Sequence, residues 1–222
     1  MIVKICGITS MDDAIAAVDS GADVLGYNFF EGSSRYIPRV KCAEIQAYLD
    51  ERGLSVHTAG IFVNEDPFIV RRIMDDCRLD IAQISGDETP EYLDQIPGLI
   101  YRSVRLRDPG QVYHVVTDYA GRPNLTLLID SYRPGRYGGT GETADWSLAE
   151  QISRDYPILL AGGLTPDNVS TAIRAVRPWG VDVASGVETA PGVKDHDKMR
   201  AFIVRARSAV NETVHWRSNQ LE

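Results

Sequence analysis

Two side chains stand where chemistry is expected. Cys6 closes the apolar run Ile2–Cys6 beside Gly7, and Asp130 closes the apolar run Thr126–Asp130. A thiol becomes an effective base or nucleophile only as the thiolate, and at an ordinary pKa of about 8.5 it is only a few per cent ionised at neutral pH. Side chains alternate along a strand, so Lys4 shares a face with Cys6. Its ammonium favours the thiolate and is expected to lower the thiol pKa. An interior ammonium needs a partner of its own, and Asp182, in the last apolar run, is the candidate. A carboxylate at the end of a buried run such as Asp130 is costly unless it is used or paired. Both residues have plainer alternatives: a free cysteine is often a small buried apolar residue, and Asp130 can serve as a rim salt bridge or helix cap.

A second kind of chemistry is suggested late in the chain, where glycine-rich turns follow apolar runs. These are Gly138-Gly139-Thr140-Gly141, Ala161-Gly162-Gly163-Leu164 and Ala184-Ser185-Gly186-Val187. Glycine lets the backbone approach a ligand, and free N–H groups there suit an anion such as phosphate. Gly162, Gly163, Ser185 and Gly186 are therefore candidate phosphate contacts. The four histidines, His57, His114, His196 and His215, are scattered without ligand spacing, so no metal is expected. Asn28, Arg35, Asn64, Ser85, Asp87 and Arg105 also follow strand-like runs. Arg71, Arg72, Arg102, Arg105 and Arg107 read as solvated or paired surface. Cys42 and Cys77 read as packing.

The elements that must position these groups alternate along the chain. Short apolar runs rich in Val and Ile lie at 2–6, 24–29, 56–63, 81–84, 100–104, 126–130, 158–161 and 181–184. Runs this short and continuously apolar suit strands buried on both faces, as in a parallel sheet. Helical patterns separate them at 11–20, 38–51, 67–77, 90–95, 111–118, 145–154, 166–176 and 194–210. Pro38 suits a first turn, and Asp145 and Thr165 suit caps. Eight strand–helix units predict an α/β fold, a single-domain (β/α)8 barrel over 1–210, followed by a polar tail, 211–222, that can fray. A doubly wound sheet would want a glycine-rich first turn, and Cys6-Gly7-Ile8-Thr9 is not one. In such barrels the active site is built at the C-terminal ends of the strands, with phosphate over the seventh and eighth loops.

Composition narrows the function classes. The chain has 222 residues, 44% of them hydrophobic and 24% charged, and a net charge of −8. These fractions argue against disorder, collagen and coiled coil. The acidic balance disfavours nucleic-acid binding. No run approaches the ~18 apolar residues of a membrane span, and the first residues lack the pattern of a signal peptide. Three cysteines without paired spacing suit reduced thiols in a cytoplasmic protein.

The motifs together resemble one family. Lys4-Ile5-Cys6-Gly7-Ile8-Thr9, Gly26-Tyr27-Asn28-Phe29 with Ser34-Arg35-Tyr36-Ile37, Phe62-Val63-Asn64, Gly86-Asp87-Glu88, Gly138-Gly139-Thr140-Gly141 with Asp145-Trp146, Ala161–Pro166, Asp182–Glu188 and Pro191–Asp195 occur in the order found in phosphoribosylanthranilate isomerases of tryptophan biosynthesis. The resemblance implies a (β/α)8 barrel without cofactor, a monomer or homodimer, that carries out an Amadori rearrangement of a small phosphorylated substrate. It implies Cys6 as general base and Asp130 as general acid. Arg35 would hold the anthranilate carboxylate, and Gly162, Gly163, Asp182, Ser185 and Gly186 would complete the substrate site. Ser85 stands where the family usually has His, Glu142 where it has Lys, Ala144 where it has Phe, and Ala184 where Ser is frequent. The related histidine-pathway aminoaldose isomerases use two aspartates and two phosphate sites, which the cysteine and the single phosphate site here oppose.

Overall fold

The computed structural model describes residues 1–106, 108–119, 121–131 and 146–218, without side chains for 131 and 210–218. Eight parallel strands close into a barrel in sequence order. They are β1 (Ile2–Cys6), β2 (Val24–Asn28), β3 (His57–Phe62), β4 (Ile81–Ile84), β5 (Leu99–Leu106), β6 (Leu125–Ser131), β7 (Ile158–Ala161) and β8 (Gly180–Val183). The helices on the outside are α1 (Met11–Asp19), α2 (Arg39–Glu51), α3 (Pro67–Asp76), α4 (Pro90–Leu93), α5 (Pro109–Tyr119), α6 (Ser147–Ser153), α7 (Val169–Val176) and α8 (His196–Ser218). The expected barrel is present, with strand ends within a few residues of expectation.

Strand alternation divides the core in two. Val24, Ala59, Ile81, Tyr101, Leu128 and Leu159, one from each of β2 to β7, pack together inside the barrel floor. The intervening residues, such as Val3, Ile5, Leu25 and Ile129, pack outward against the helices. Period-two alternation then places the next interior layers. Lys4 and Cys6 rise above Ile2, Gly26 above Val24, Gln83 above Ile81, and Asp130 above Leu128. The polar residues of the interior thus lie toward the C-terminal mouth.

Side-chain caps open some of the helices, α1 and α3 among them. The Ser10 hydroxyl accepts from Asp13 N, and the Asp66 carboxylate accepts from Phe68 N ahead of Pro67. Pro38 is the cap residue of α2 rather than its first helical position. Thr165 does not cap the seventh helix. That helix begins at Val169, because the Asn168 carboxamide folds back on the loop, accepting from Thr165 N and donating to Gly163 O. The cap expected at Asp145 lies outside the described residues.

The chain between the eighth strand and last helix also differs from expectation. A short helical turn (Ser185–Val187) leads into a two-strand hairpin, β9 (Glu188–Ala190) and β10 (Val193–Lys194). Lys194 therefore ends a strand instead of opening a helix, and the last helix runs past the expected end at 210 to Ser218.

Candidate active site at the C-terminal mouth

The Lys4 ammonium lies 2.9 Å from Asp182 Oδ1, with Lys4 fully buried. Parallel pairing of β1 with β8 puts the two residues opposite each other. The same ammonium lies on the strand face it shares with Cys6 and interacts electrostatically with its side chain. It is held well above its ordinary pKa, because the pull of Asp182 and Cys6 exceeds the burial that opposes it.

Cys6 pairs across the sheet with Gly26. A Cβ at residue 26 would sit 3.1 Å from Cys6 Sγ, so the glycine makes room for the thiol. Burial pushes the Cys6 thiol above its ordinary pKa, and Asp182 adds to this, while Lys4 and Lys194 pull it down. This corrects the expected net lowering. Lys4 acts with the expected sign, but desolvation of the charged form is larger.

Asp130, a quarter exposed, stands across the mouth from Cys6, and Arg105 Nε lies 3.6 Å from its Oδ2. Burial raises its pKa above the ordinary carboxylate value, Arg105 opposes this, and Asp182 raises it further. One carboxylate, Asp182, thus acts on both titrating groups.

Arg35 crosses the rim next to Cys6. Its alkyl stem lies over Gly7, where a Cβ would come within 2.6 Å of Arg35 Cδ, and Gly7 adopts φ +76. Only glycine meets both conditions without strain. The guanidinium forms a fork with Glu188, Nε to Oε1 at 2.8 Å and Nη2 to Oε2 at 2.6 Å. Asn28 shapes the loop behind it: its amide donates to Ser33 Oγ, which in turn accepts from Arg35 N.

The sequence-based reading missed Glu188 and Lys194. Lys194 Nζ donates to Cys6 O at 2.6 Å, to Ala184 O at 3.1 Å and to Glu188 Oε1 at 2.9 Å. Its signal in the sequence was a lysine inside Pro191–Asp195, hidden because that segment read as the start of a helix.

Gly162 and Gly163 both adopt positive φ after β7. Gly186 packs against the preceding loop so closely that a Cβ there would fall 1.8 Å from Leu164 O. The seventh and eighth loops are therefore in backbone contact. A cavity of about 800 Å³ opens where they meet α8, lined among others by Gly163, Ser185, Gly186 and Lys198. Neither Cys6 nor Asp130 lines it.

Other expected positions brace the scaffold. Asn64 accepts from Asp87 N, and its own N–H donates to Glu88, joining the third and fourth loops. Ser85 accepts from Gln83 Nε2. Arg102 is not on the surface: it is buried and donates to Ile84 O, Gly86 O, Glu88 O and the Glu88 carboxylate. Three residues further along the same strand, Arg105 pairs with Asp130, while Arg107 lies outside the described residues, as does the turn at 138–141. Cys42 and Cys77 are fully buried, as expected of packing.

The family model for N-(5'-phosphoribosyl)anthranilate isomerase matches residues 3–205. The chain belongs to the N-(5'-phosphoribosyl)anthranilate isomerase family. A curated isomerase of that name from Trichlorobacter lovleyi is 46% identical, the match covering 94% of this chain and 98% of the relative. One from a Roseiflexus species is 44% identical, covering 93% and 98%. Among solved structures, the phosphoribosylanthranilate isomerase of Thermotoga maritima superposes with a TM-score of 0.85 at 37% identity, covering 94% of this chain and all of the other. Another isomerase structure of the family, at TM-score 0.81 and 34% identity over 94% of this chain and all of that one, is a complex with reduced 1-(o-carboxyphenylamino)-1-deoxyribulose 5-phosphate. The protein is an isomerase of this family with a (β/α)8 barrel.

Proposed function

We propose that this isomerase converts N-(5'-phosphoribosyl)anthranilate into 1-(2-carboxyphenylamino)-1-deoxyribulose 5-phosphate, a step of tryptophan biosynthesis, with Asp130 as general acid and Cys6 as general base. The observation that carries the assignment is that Cys6 and Asp130 rise from β1 and β6 at one mouth and share the field of Asp182. The carboxylic acid of Asp130 gives its proton to the ribose ring oxygen as the C1–O bond breaks, and the anthranilate nitrogen's lone pair forms the C=N⁺ bond of a Schiff base. The Cys6 thiolate then removes the C2 proton. The electrons of that C–H bond form the C1–C2 double bond, and the C=N⁺ pair returns to nitrogen. The resulting enolamine takes a proton at C1 while its C2 hydroxyl gives one up, so that the O–H pair becomes the C=O bond and the product is the ketone. No electron donor or acceptor is required.

The productive ionisation state has Cys6 as thiolate and Asp130 as acid. A carboxyl ordinarily titrates below a thiol, so this is the minority tautomer of the singly protonated pair. The two raised pKa values pull in opposite directions: raising that of Asp130 enlarges the productive fraction, and raising that of Cys6 shrinks it.

Arg35 binds the anthranilate carboxylate, for which a planar fork is suited. Its bond to Glu188 fixes the guanidinium plane before substrate arrives. The backbone of Gly162, Gly163, Ser185 and Gly186 receives the phosphate, supported by the contact between the two loops, and Asp182 completes the site through its hold on Lys4. The protein works in the cytoplasm as a monomer or homodimer and takes no cofactor. Turnover is tested by the decay of the substrate's anthranilate fluorescence with purified enzyme, and by complementation of a strain lacking this isomerase. Lack of both in a folded protein would overturn the proposal.

A further inference from the structure

Lys194 lies outside the barrel strands, yet its ammonium is wholly buried beneath the eighth loop. Three acceptors surround it: the carbonyl of Cys6 at the end of β1, the carbonyl of Ala184 just after β8, and Glu188 Oε1. Each leads to a different part of the proposed site. Cys6 O belongs to the base itself. Ala184 immediately precedes Ser185 and Gly186. Glu188 holds Arg35 by both carboxylate oxygens. The hairpin of β9 and β10 delivers the lysine to this point, and Lys194 N faces Asp13 Oδ2 at 3.5 Å on the other side.

We infer that Lys194 is a positioning residue for the Cys6 base: its ammonium ties Cys6 to the eighth loop and to the Glu188–Arg35 fork, and supplies a second positive charge to the thiolate. The inference rests on the assignment of Cys6 as base. Lys4 faces the thiol from its own strand, with Asp182 of β8 paired to it. Lys194 of β10 faces it from the loop side, with Glu188 of β9 paired to that lysine, and Arg35 reaches the same group from the loop after β2. β2 itself contributes only Gly26 at this level. The two carboxylates keep the cations folded in place; the two lysines act on the thiol. Burial lowers the pKa of Lys194, but Glu188 and Cys6 both act to keep it charged.

The test compares wild-type enzyme with Lys194→Gln and Lys194→Met, each confirmed folded by circular dichroism and a cooperative melt above the assay temperature. Cys6 is alkylated with iodoacetamide across a pH series, and the modified peptide is identified by mass; Cys42 and Cys77 are fully buried and react slowly. The thiol midpoint should rise by about one pH unit or more, the scale on which a neighbouring unit charge acts. The fall in kcat should exceed the change in KM, since the substrate's own contacts remain. A folded variant with unchanged thiol midpoint and unchanged kcat would overturn the inference.

A second measurement uses the wild type alone. The chain has four lysines, Lys4, Lys41, Lys194 and Lys198. In ¹⁵N-lysine-labelled enzyme, alkylation of Cys6 should shift two ammonium signals, those of Lys4 and Lys194. A shift confined to one signal, or to none, would overturn the inference without any variant. Failure of the base assignment is read separately: a Cys6→Ser enzyme with full turnover removes Cys6 as base, while the alkylation midpoints still report what Lys194 does to the thiol.

Discussion

Lys4 Nζ and Asp182 Oδ1, 2.9 Å apart across the β1–β8 seam, join the first strand of the barrel to the last and set the charge beneath Cys6. Lys4→Met removes the cation and leaves Asp182 buried without its partner. Breaking a buried pair in this way costs about 3–5 kcal/mol, read as a lower urea midpoint. The thiol pKa should rise further, because the group that opposed burial is gone. The alkaline limb of kcat/KM should therefore move to higher pH while the plateau falls.

Cys6→Ala and Asp130→Asn should each reduce kcat by about 10²–10⁴-fold, the usual contribution of a positioned acid or base. Both residues are only partly buried at the mouth, so their variants should melt close to wild type. The measurement is steady-state turnover together with the melting temperature of each variant.

Arg105 is the cation beside Asp130, and its loss should have an unusual sign. Arg105→Met removes a charge that favours the carboxylate, so the Asp130 pKa rises. The acid limb of kcat/KM should shift upward, and the plateau should rise with it, because more of the pair then holds its proton on Asp130 and not on Cys6. The pH profile of kcat/KM at saturating stability checks both features. A carboxylate with no role in proton transfer would move neither.

Gly186→Ala would drive a Cβ into Leu164 O and force the seventh and eighth loops apart. Losing one or two hydrogen bonds to a charged phosphate, at about 1.5–3 kcal/mol each, predicts roughly a ten- to hundredfold loss in substrate affinity or more. Inorganic phosphate should compete correspondingly less well. Isothermal titration with the reduced product analogue measures the effect directly.

Much of the site was legible because it depends on periodicity and on closure. Alternation places Lys4 below Cys6, and a closed eight-strand barrel puts β8 beside β1, so the Lys4–Asp182 pair could be expected from residue types together with strand period and closure. Arg102 could not be read in this way. It belongs to a cluster of arginines, Arg102, Arg105 and Arg107, that looks like exposed surface, and it is buried only because the fourth loop folds over it and offers three carbonyls and Glu88. The start of the seventh helix was likewise decided by a return contact from Asn168, which competes with the cap that Thr165 would otherwise make.

The sequence by itself determined the barrel, the strand-end positions of Cys6 and Asp130, the glycine loops and the partner of Lys4, since each follows from spacing along the chain and the period of a strand. The tertiary structure decided the balance of charge around Cys6. Whether a lysine lowers a thiol pKa below its ordinary value depends on how much water is lost as well as on the lysine, and water loss is a property of the packed mouth. The tertiary structure also decided that Lys194, 188 residues from Cys6 along the chain, reaches its carbonyl. That contact exists because the β9–β10 hairpin folds back over the rim, and a buried ammonium there is tolerated because three acceptors converge on it.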